Sequence, residues 1–115
     1  MASRETSALY LLALAHLQNA HPEKAATLLA ALDALESGQP ATLMALAWSQ
    51  VRSNQPAQAL STLGRIRSGG GVSASYYLVR AQALEALQRQ PEAYLAIRTF
   101  LRLRGPVARN NPPQT

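Results

Sequence analysis

The sequence predicts an all-α protein, a solenoid built from three helical hairpins. Nearly half of its 115 residues are hydrophobic but only 5% are aromatic, which favours helices because strands are enriched in aromatic and β-branched side chains. Residues of matching size also recur at one constant spacing, which equals the distance along the sequence from Ala13 to Ala47. We call this spacing the repeat period. In addition, prolines stand near the predicted starts of helices. A chain of this length is expected to fold as one domain.

Five positions keep the repeat period in all three hairpins. Two of them hold alanine in every hairpin: Ala13, Ala47 and Ala81 at one, and Ala25, Ala59 and Ala93 at the other. The other three hold large apolar residues: Leu9, Leu43 and Tyr77; Leu29, Leu63 and Ile97; and Leu32, Ile66 and Phe100. Small residues let two helices approach each other closely, so we expect the alanines to lie where the helices of a hairpin cross.

The first hairpin is predicted at about 6–39, with helices over 6–19 and 22–36. Pro22 follows the turn, where proline is tolerated because the first turn of a helix has no intrahelical acceptor for a backbone N–H. The apolar run 8–17 is too short to span a bilayer, and Glu5 interrupts the basic region that a secretory signal needs. We therefore expect this run to be a helix of the folded domain.

The second hairpin is predicted at about 40–73, with helices over 41–53 and 56–67. The third hairpin is predicted at about 74–104, with helices over 73–89 and 91–103. Pro56 and Pro91 stand near the start of the second helix of each, although Pro91 comes one residue late in the period. The glycine run 69–71 predicts a flexible joint. Residues 105–115 contain little apolar material and are predicted to form a disordered tail.

The repeat period matches the length of the tetratricopeptide repeat (TPR), about 34 residues, and the chain resembles that family in its alanine positions. Two features depart from the family pattern. The aromatic residue of the first helix is replaced by His16, Gln50 and Leu84, and a large residue stands in each hairpin where the family usually has alanine. The resemblance is therefore to a degenerate TPR, and a generic solenoid of α-hairpins is the alternative.

The resemblance implies a concave groove lined by the first helix of each hairpin. Positions spaced i, i+4 and i+7 on that helix point into the groove. In this chain they are Tyr10, Leu14 and Leu17; Met44, Trp48 and Val51; and Leu78, Gln82 and Glu85. Because most are apolar, they predict contact with an apolar helical segment of another protein rather than with a C-terminal carboxylate. The alternative is that they pack between adjacent hairpins or seal a dimer.

The stretch 80–103, RAQALEALQRQPEAYLAIRTFLRL, is similar to the small TPR chaperones of bacterial type III secretion, most of all the YscY family. The likeness rests on its RAQ start, on Glu92-Ala93 and on the pair Phe100-Leu101. It implies a cytoplasmic chaperone that holds a small YscX-like secreted protein as a heterodimer and delivers it to the export gate. Chaperones of the needle subunit or of translocators share this architecture, and a generic TPR adaptor is a further alternative.

Charge is distributed unevenly along the chain. Residues 1–51 hold two basic and four acidic residues, a net charge of −2, whereas residues 52–115 hold nine arginines and two acidic residues, a net charge of +7. Such a basic region can bind nucleic acid or an acidic protein. The arginines concerned are Arg65, Arg67, Arg98, Arg102 and Arg104. No regular aromatic series alternates with them, as stacking on single strands requires, so a solvated helix face is favoured over a nucleic-acid site.

Catalysis and metal binding are not expected. The chain has no cysteine, which excludes disulfides and thiolate metal sites and is compatible with a reducing cytoplasm. Its two histidines, His16 and His21, have no carboxylates spaced for metal ligation, and the glycine run lacks the strand and helix of a phosphate-binding loop. We therefore expect no enzyme activity, no cofactor and no membrane insertion. In the absence of a client, we expect the chain to be either poorly soluble or self-associated.

Overall fold

The computed structural model describes residues 4–68 and 72–109, and these residues form six α-helices and no β-strand. The helices are α1 (Arg4–Gln18), α2 (Pro22–Leu35), α3 (Pro40–Arg52), α4 (Pro56–Ser68), α5 (Ala74–Ala86) and α6 (Gln90–Arg109). The predicted all-α class is therefore confirmed.

Proline marks the start of three of these helices. Pro22, Pro40 and Pro56 each occupy the first helical position. The backbone N–H that proline lacks would have no intrahelical acceptor there, and the fixed φ of proline suits a helix. The helix starts predicted at 22 and 56 are confirmed.

A residue with left-handed backbone conformation follows the first helix of each pair. Ala20, Asn54 and Gln88 have φ angles of 65°, 65° and 60°, and each stands one repeat period after the one before. The next residue in each case donates its backbone N–H to a carbonyl five positions earlier. The acceptors are the carbonyls of His16 at 2.8 Å, Gln50 at 2.7 Å and Leu84 at 2.9 Å. Because this is the hydrogen bond of a Schellman cap, the three turns share one construction.

Two helix ends differ from the sequence prediction by three residues or more. The helix predicted over 73–89 ends at Ala86, because the left-handed residue Gln88 turns the chain before α6 begins. The last helix continues to Arg109, so the tail boundary predicted after residue 104 comes five residues too early. Residues 110–115 and the glycine run 69–71 lie outside the described residues.

Each helix packs against the next one along the chain, and α3 also contacts α1 and α5. The core consists of three clusters in the same order. The first cluster is Ala13, Leu17, Ala25, Leu29, Leu32 and Leu46; the second is Leu43, Ala47, Ala59, Leu63, Ile66, Tyr76, Val79 and Ala83; the third is Ala81, Leu84, Ala93 and Ala96. All six alanines of the repeat period are buried in these clusters, as the sequence predicts.

Candidate protein-binding groove

The helices α1, α3 and α5 border a shared cavity of about 470 Å³. Six of the nine predicted groove residues line it: Tyr10, Leu14, Leu17, Met44, Trp48 and Leu78. Its wall is completed by Ala41, Ala45, Ser73, Ser75 and Val79. We call this cavity and its lining the groove.

Helix periodicity and the position of α3 bring these side chains together. Residues three or four positions apart lie on one face of a helix, which aligns Met44 with Trp48 on α3 and the three predicted residues on α1. Since α3 contacts both α1 and α5, Leu78 of α5 reaches the same cavity. None of the described residues that line the groove is charged, so its chemistry suits apolar side chains with a few hydroxyl contacts.

Part of the groove lining also belongs to the core. Leu17 is buried in the first cluster, and Trp48 is half-buried and packs against both the first and the second cluster. The alternative of packing between hairpins therefore holds for Leu17 and in part for Trp48. Leu14 and Leu78 are half-buried and belong to none of the three clusters. Among the six predicted residues, Leu14 and Leu78 are therefore the two that the core clusters do not engage.

The other three predicted groove residues lie elsewhere. Val51 packs against the second cluster, to which α3, α4 and α5 all contribute. Gln82 and Glu85 line a separate cavity of about 600 Å³ between α5 and α6. The side-chain oxygen Oε1 of Gln82 is buried and has no hydrogen-bond partner among the described residues. The groove prediction is therefore wrong in placing these three residues beside the other six.

Two exposed apolar surfaces are absent from the sequence prediction. On α1, Leu11 and Leu12 are exposed, and on α6 the exposed residues include Tyr94, Leu95 and Leu101. The repeat period pairs Leu12 with Leu46, which is buried, and would therefore suggest that Leu12 is buried as well. The repeat spacing alone does not show that Leu12 lacks the neighbour that covers Leu46.

The arginines of the basic half have different surroundings. Arg65 forms an ion pair with Asp33 of α2, with 2.7 Å between Nη1 and Oδ2. Arg98 lies 5.9 Å from the ring centre of Tyr94, and Arg104 lies 5.4 Å from that of Phe100. Arg67 and Arg102 are exposed. Of the five arginines proposed for an acidic ligand, Arg65 is thus already held by a carboxylate of the chain.

The Arg65 guanidinium also changes the acidity of its partner. Hydrogen bonding to Arg65 holds the pKa of Asp33 below its usual value, and the backbone N–H of Gly38 contributes in the same direction. On α6, the hydrogen bonds from Arg89 likewise lower the pKa of the exposed Glu92. Both carboxylates are therefore ionised at neutral pH.

The two histidines lie near each other at the turn between α1 and α2. The rings of His16 and His21 are 6.0 Å apart, edge to face. Within 4–68 and 72–109, no group of three or more His, Cys, Asp or Glu residues is arranged to hold a metal ion. None of the helices in those ranges is long and apolar enough to cross a membrane.

Comparison with known proteins finds no protein-family model that matches the chain and no curated protein sequence that is significantly similar to it.

Proposed function

We propose that the chain is a TPR-like chaperone that binds an apolar helical segment of a small protein in the groove. The observation that carries this proposal is that Tyr10, Leu14, Met44, Trp48 and Leu78, which the resemblance to TPR repeats assigns to a groove, border one uncharged cavity. Tryptophan, tyrosine and methionine make adaptable apolar contacts, and an amphipathic helix lies in such grooves through residues at i, i+3, i+4 and i+7.

The TPR-like arrangement draws support from the repeated construction of the chain. The repeat period recurs in the core alanines and in the left-handed turn residues Ala20, Asn54 and Gln88. Consecutive helices pack together, and α3 contacts α1 and α5, as the first helices of adjacent repeats would. These features agree with three stacked hairpins whose first helices line one face.

The proposed client is a small substrate of type III secretion, similar to YscX. The likeness of the stretch 80–103 to the YscY family supports this choice, and the uncharged groove agrees with a client that must be kept from aggregating before export. In this proposal, the chain forms a heterodimer in the bacterial cytoplasm and presents its client to the export gate. Needle-subunit or translocator chaperones and a generic TPR adaptor are the alternatives within the same class.

Co-expression tests the proposal directly. The chain is produced together with each small protein encoded beside its gene, and the complexes are identified by size-exclusion chromatography with mass measurement. We expect one neighbour to form a stable heterodimer and Leu14→Glu to abolish it, because a carboxylate cannot be buried in an apolar groove without a partner. The matched control is Leu95→Glu, since Leu95 is exposed on α6 away from the groove.

The outcomes separate the groove from the rest of the surface. Heterodimer formation that survives Leu14→Glu would refute the groove as the binding site. Loss of the heterodimer in Leu95→Glu but not in Leu14→Glu would point to the surface of α6 instead, and loss in both variants would contradict a contact confined to the groove. Circular dichroism of each variant confirms that the helices are retained.

A further inference from the structure

The cavity between α5 and α6 has the construction of a helix-binding site. It has a volume of about 600 Å³, and its lining includes Ala81, Gln82, Glu85, Ala93, Tyr94 and Ile97. The residues one repeat period earlier are Ala47, Trp48, Val51, Ala59, Leu60 and Leu63, and all six belong to the second cluster or pack against it. In that cluster α5 contributes Tyr76, Val79 and Ala83. The cavity between α5 and α6 is therefore equivalent to the space between α3 and α4 that α5 fills in the second hairpin.

The first hairpin repeats this relationship with α3 as the covering helix. Leu46 is buried in the first cluster beside Ala13, Ala25 and Leu29, and Ala45 packs against it. The covering face of α3 also includes Thr42 and Ser49, which are buried. One repeat period later, these α3 positions correspond to Tyr76, Val79, Arg80 and Ala83 of α5. The first helix of one hairpin therefore covers the preceding hairpin twice within the described chain.

The same face of α1 is uncovered. The positions that correspond to Thr42, Ala45, Leu46 and Ser49 are Ala8, Leu11, Leu12 and Ala15, and all four are exposed. Leu11 is 64% exposed and Leu12 is 49% exposed. Their i, i+3, i+4 and i+7 spacing forms one apolar stripe, and the described residues place only α2 and α3 in contact with α1.

We propose that α1 of a second copy of this chain occupies the cavity between α5 and α6. In this arrangement the α1 stripe of one copy covers the third hairpin of another copy, as α3 covers the first hairpin and α5 covers the second within one chain. Leu12 corresponds to Leu46 and Ala15 to the similarly small Ser49, whereas Leu11 is larger than its counterpart Ala45. The internal contacts therefore provide a template for the contact between copies, with Leu11 filling additional space in the cavity.

Charge distribution favours the same pairing. The contact joins the half of one copy that carries a net charge of −2 to the half of the next that carries +7. Long-range attraction between oppositely charged regions of two copies raises their rate of association.

The contact is heterologous, because the two copies use different surfaces. Head-to-tail contacts of this kind form rings if the rotation closes and open filaments if it does not. The α1 stripe lies on residues other than Tyr10, Leu14 and Leu17, which line the groove, so this inference does not depend on client binding.

Sedimentation equilibrium of the chain and two variants over a wide range of concentration tests the proposal. We expect the average mass of the wild type to rise with concentration. Leu11→Glu and Tyr94→Glu should each weaken self-association at least about tenfold, because each places a carboxylate in an apolar contact. Tyr94 is 63% exposed, so neither change disturbs the core of the single chain. The matched control is Leu35→Glu on α2, because Leu35 is 65% exposed and lies outside both proposed surfaces. This variant should associate like the wild type.

Mixing the two variants distinguishes a head-to-tail contact from a symmetric one. The Leu11→Glu chain keeps an intact α5–α6 cavity, and the Tyr94→Glu chain keeps an intact α1 stripe. An equimolar mixture should therefore form a dimer of one copy of each, with the wild-type affinity. A wild type that stays monomeric, variants that associate as before, or a mixture that stays monomeric would each overturn the proposal.

Discussion

Arg65 holds Asp33 through two parallel hydrogen bonds, from Nη1 to Oδ2 at 2.7 Å and from Nη2 to Oδ1 at 3.1 Å. The pair joins α2 to α4, two helices separated along the chain by α3. Asp33 also accepts a hydrogen bond of 2.9 Å from the backbone N–H of Gly38, in the turn that leads into α3. One carboxylate thus links the first hairpin, the connecting turn and the second hairpin.

Asp33→Asn should lower the free energy of unfolding at neutral pH by about 0.5–1 kcal/mol, the upper part of the range for partly exposed ion pairs. Because the pKa of Asp33 is lower in the folded chain, the stabilisation is complete above the unfolded value of 3.8 and is lost as the pH falls through the folded value. Urea unfolding at several pH values measures this. The difference between wild type and variant should disappear in acid.

The matched control for this prediction is Glu92→Gln. Glu92 and Arg89 form a pair at i, i+3 that is exposed on both sides, so removing it should change stability little. An equal loss in both variants would contradict a specific role for the link between α2 and α4.

Ala47→Leu should destabilise the fold by about 1–3 kcal/mol through overpacking. Ala47 is fully buried in the second cluster, where α3, α4 and α5 meet, so a larger side chain must displace a helix. Thermal unfolding measures the effect. The control Ala34→Leu adds the same atoms on the exposed side of α2 and should leave the melting temperature nearly unchanged.

Ala20→Gly should stabilise the fold by about 1 kcal/mol, because alanine is strained in the left-handed conformation that it adopts after α1. Glycine has no such strain. Asn54→Gly serves as the comparison, since asparagine tolerates this conformation and should gain less. Chemical denaturation of both variants measures the two changes. A loss of stability in Ala20→Gly would contradict the left-handed turn.

The all-α class, the helix starts at Pro22 and Pro56 and the buried alanines could be predicted from the sequence, because they depend on local chemistry and on the period. The end of α5 could not, since glutamine at position 88 gives no signal for a left-handed turn. Only comparison of Gln88 with Asn54 and Ala20, one and two repeat periods earlier, shows the shared geometry.

The groove residues could be predicted where their position depends only on which face of a helix they occupy. They could not be predicted where it depends on which helix packs beside them. Leu14 and Met44 border the predicted cavity, but Val51 packs against the second cluster and Glu85 lines a different cavity. Equivalent positions in a repeat have the same environment only when the same neighbour is present. For this reason Leu12 is exposed although Leu46, one repeat period later, is buried.

The indole N–H resonance of Trp48 gives the most direct test of the proposed groove, because Trp48 is the only tryptophan in the chain and lines that cavity. It is recorded by NMR on an isotope-labelled chain, alone and with its unlabelled co-expressed partner. If the groove binds the client, the resonance shifts on complex formation, and Leu14→Glu prevents the shift. A complex that forms while the Trp48 resonance stays in place would contradict binding in the groove.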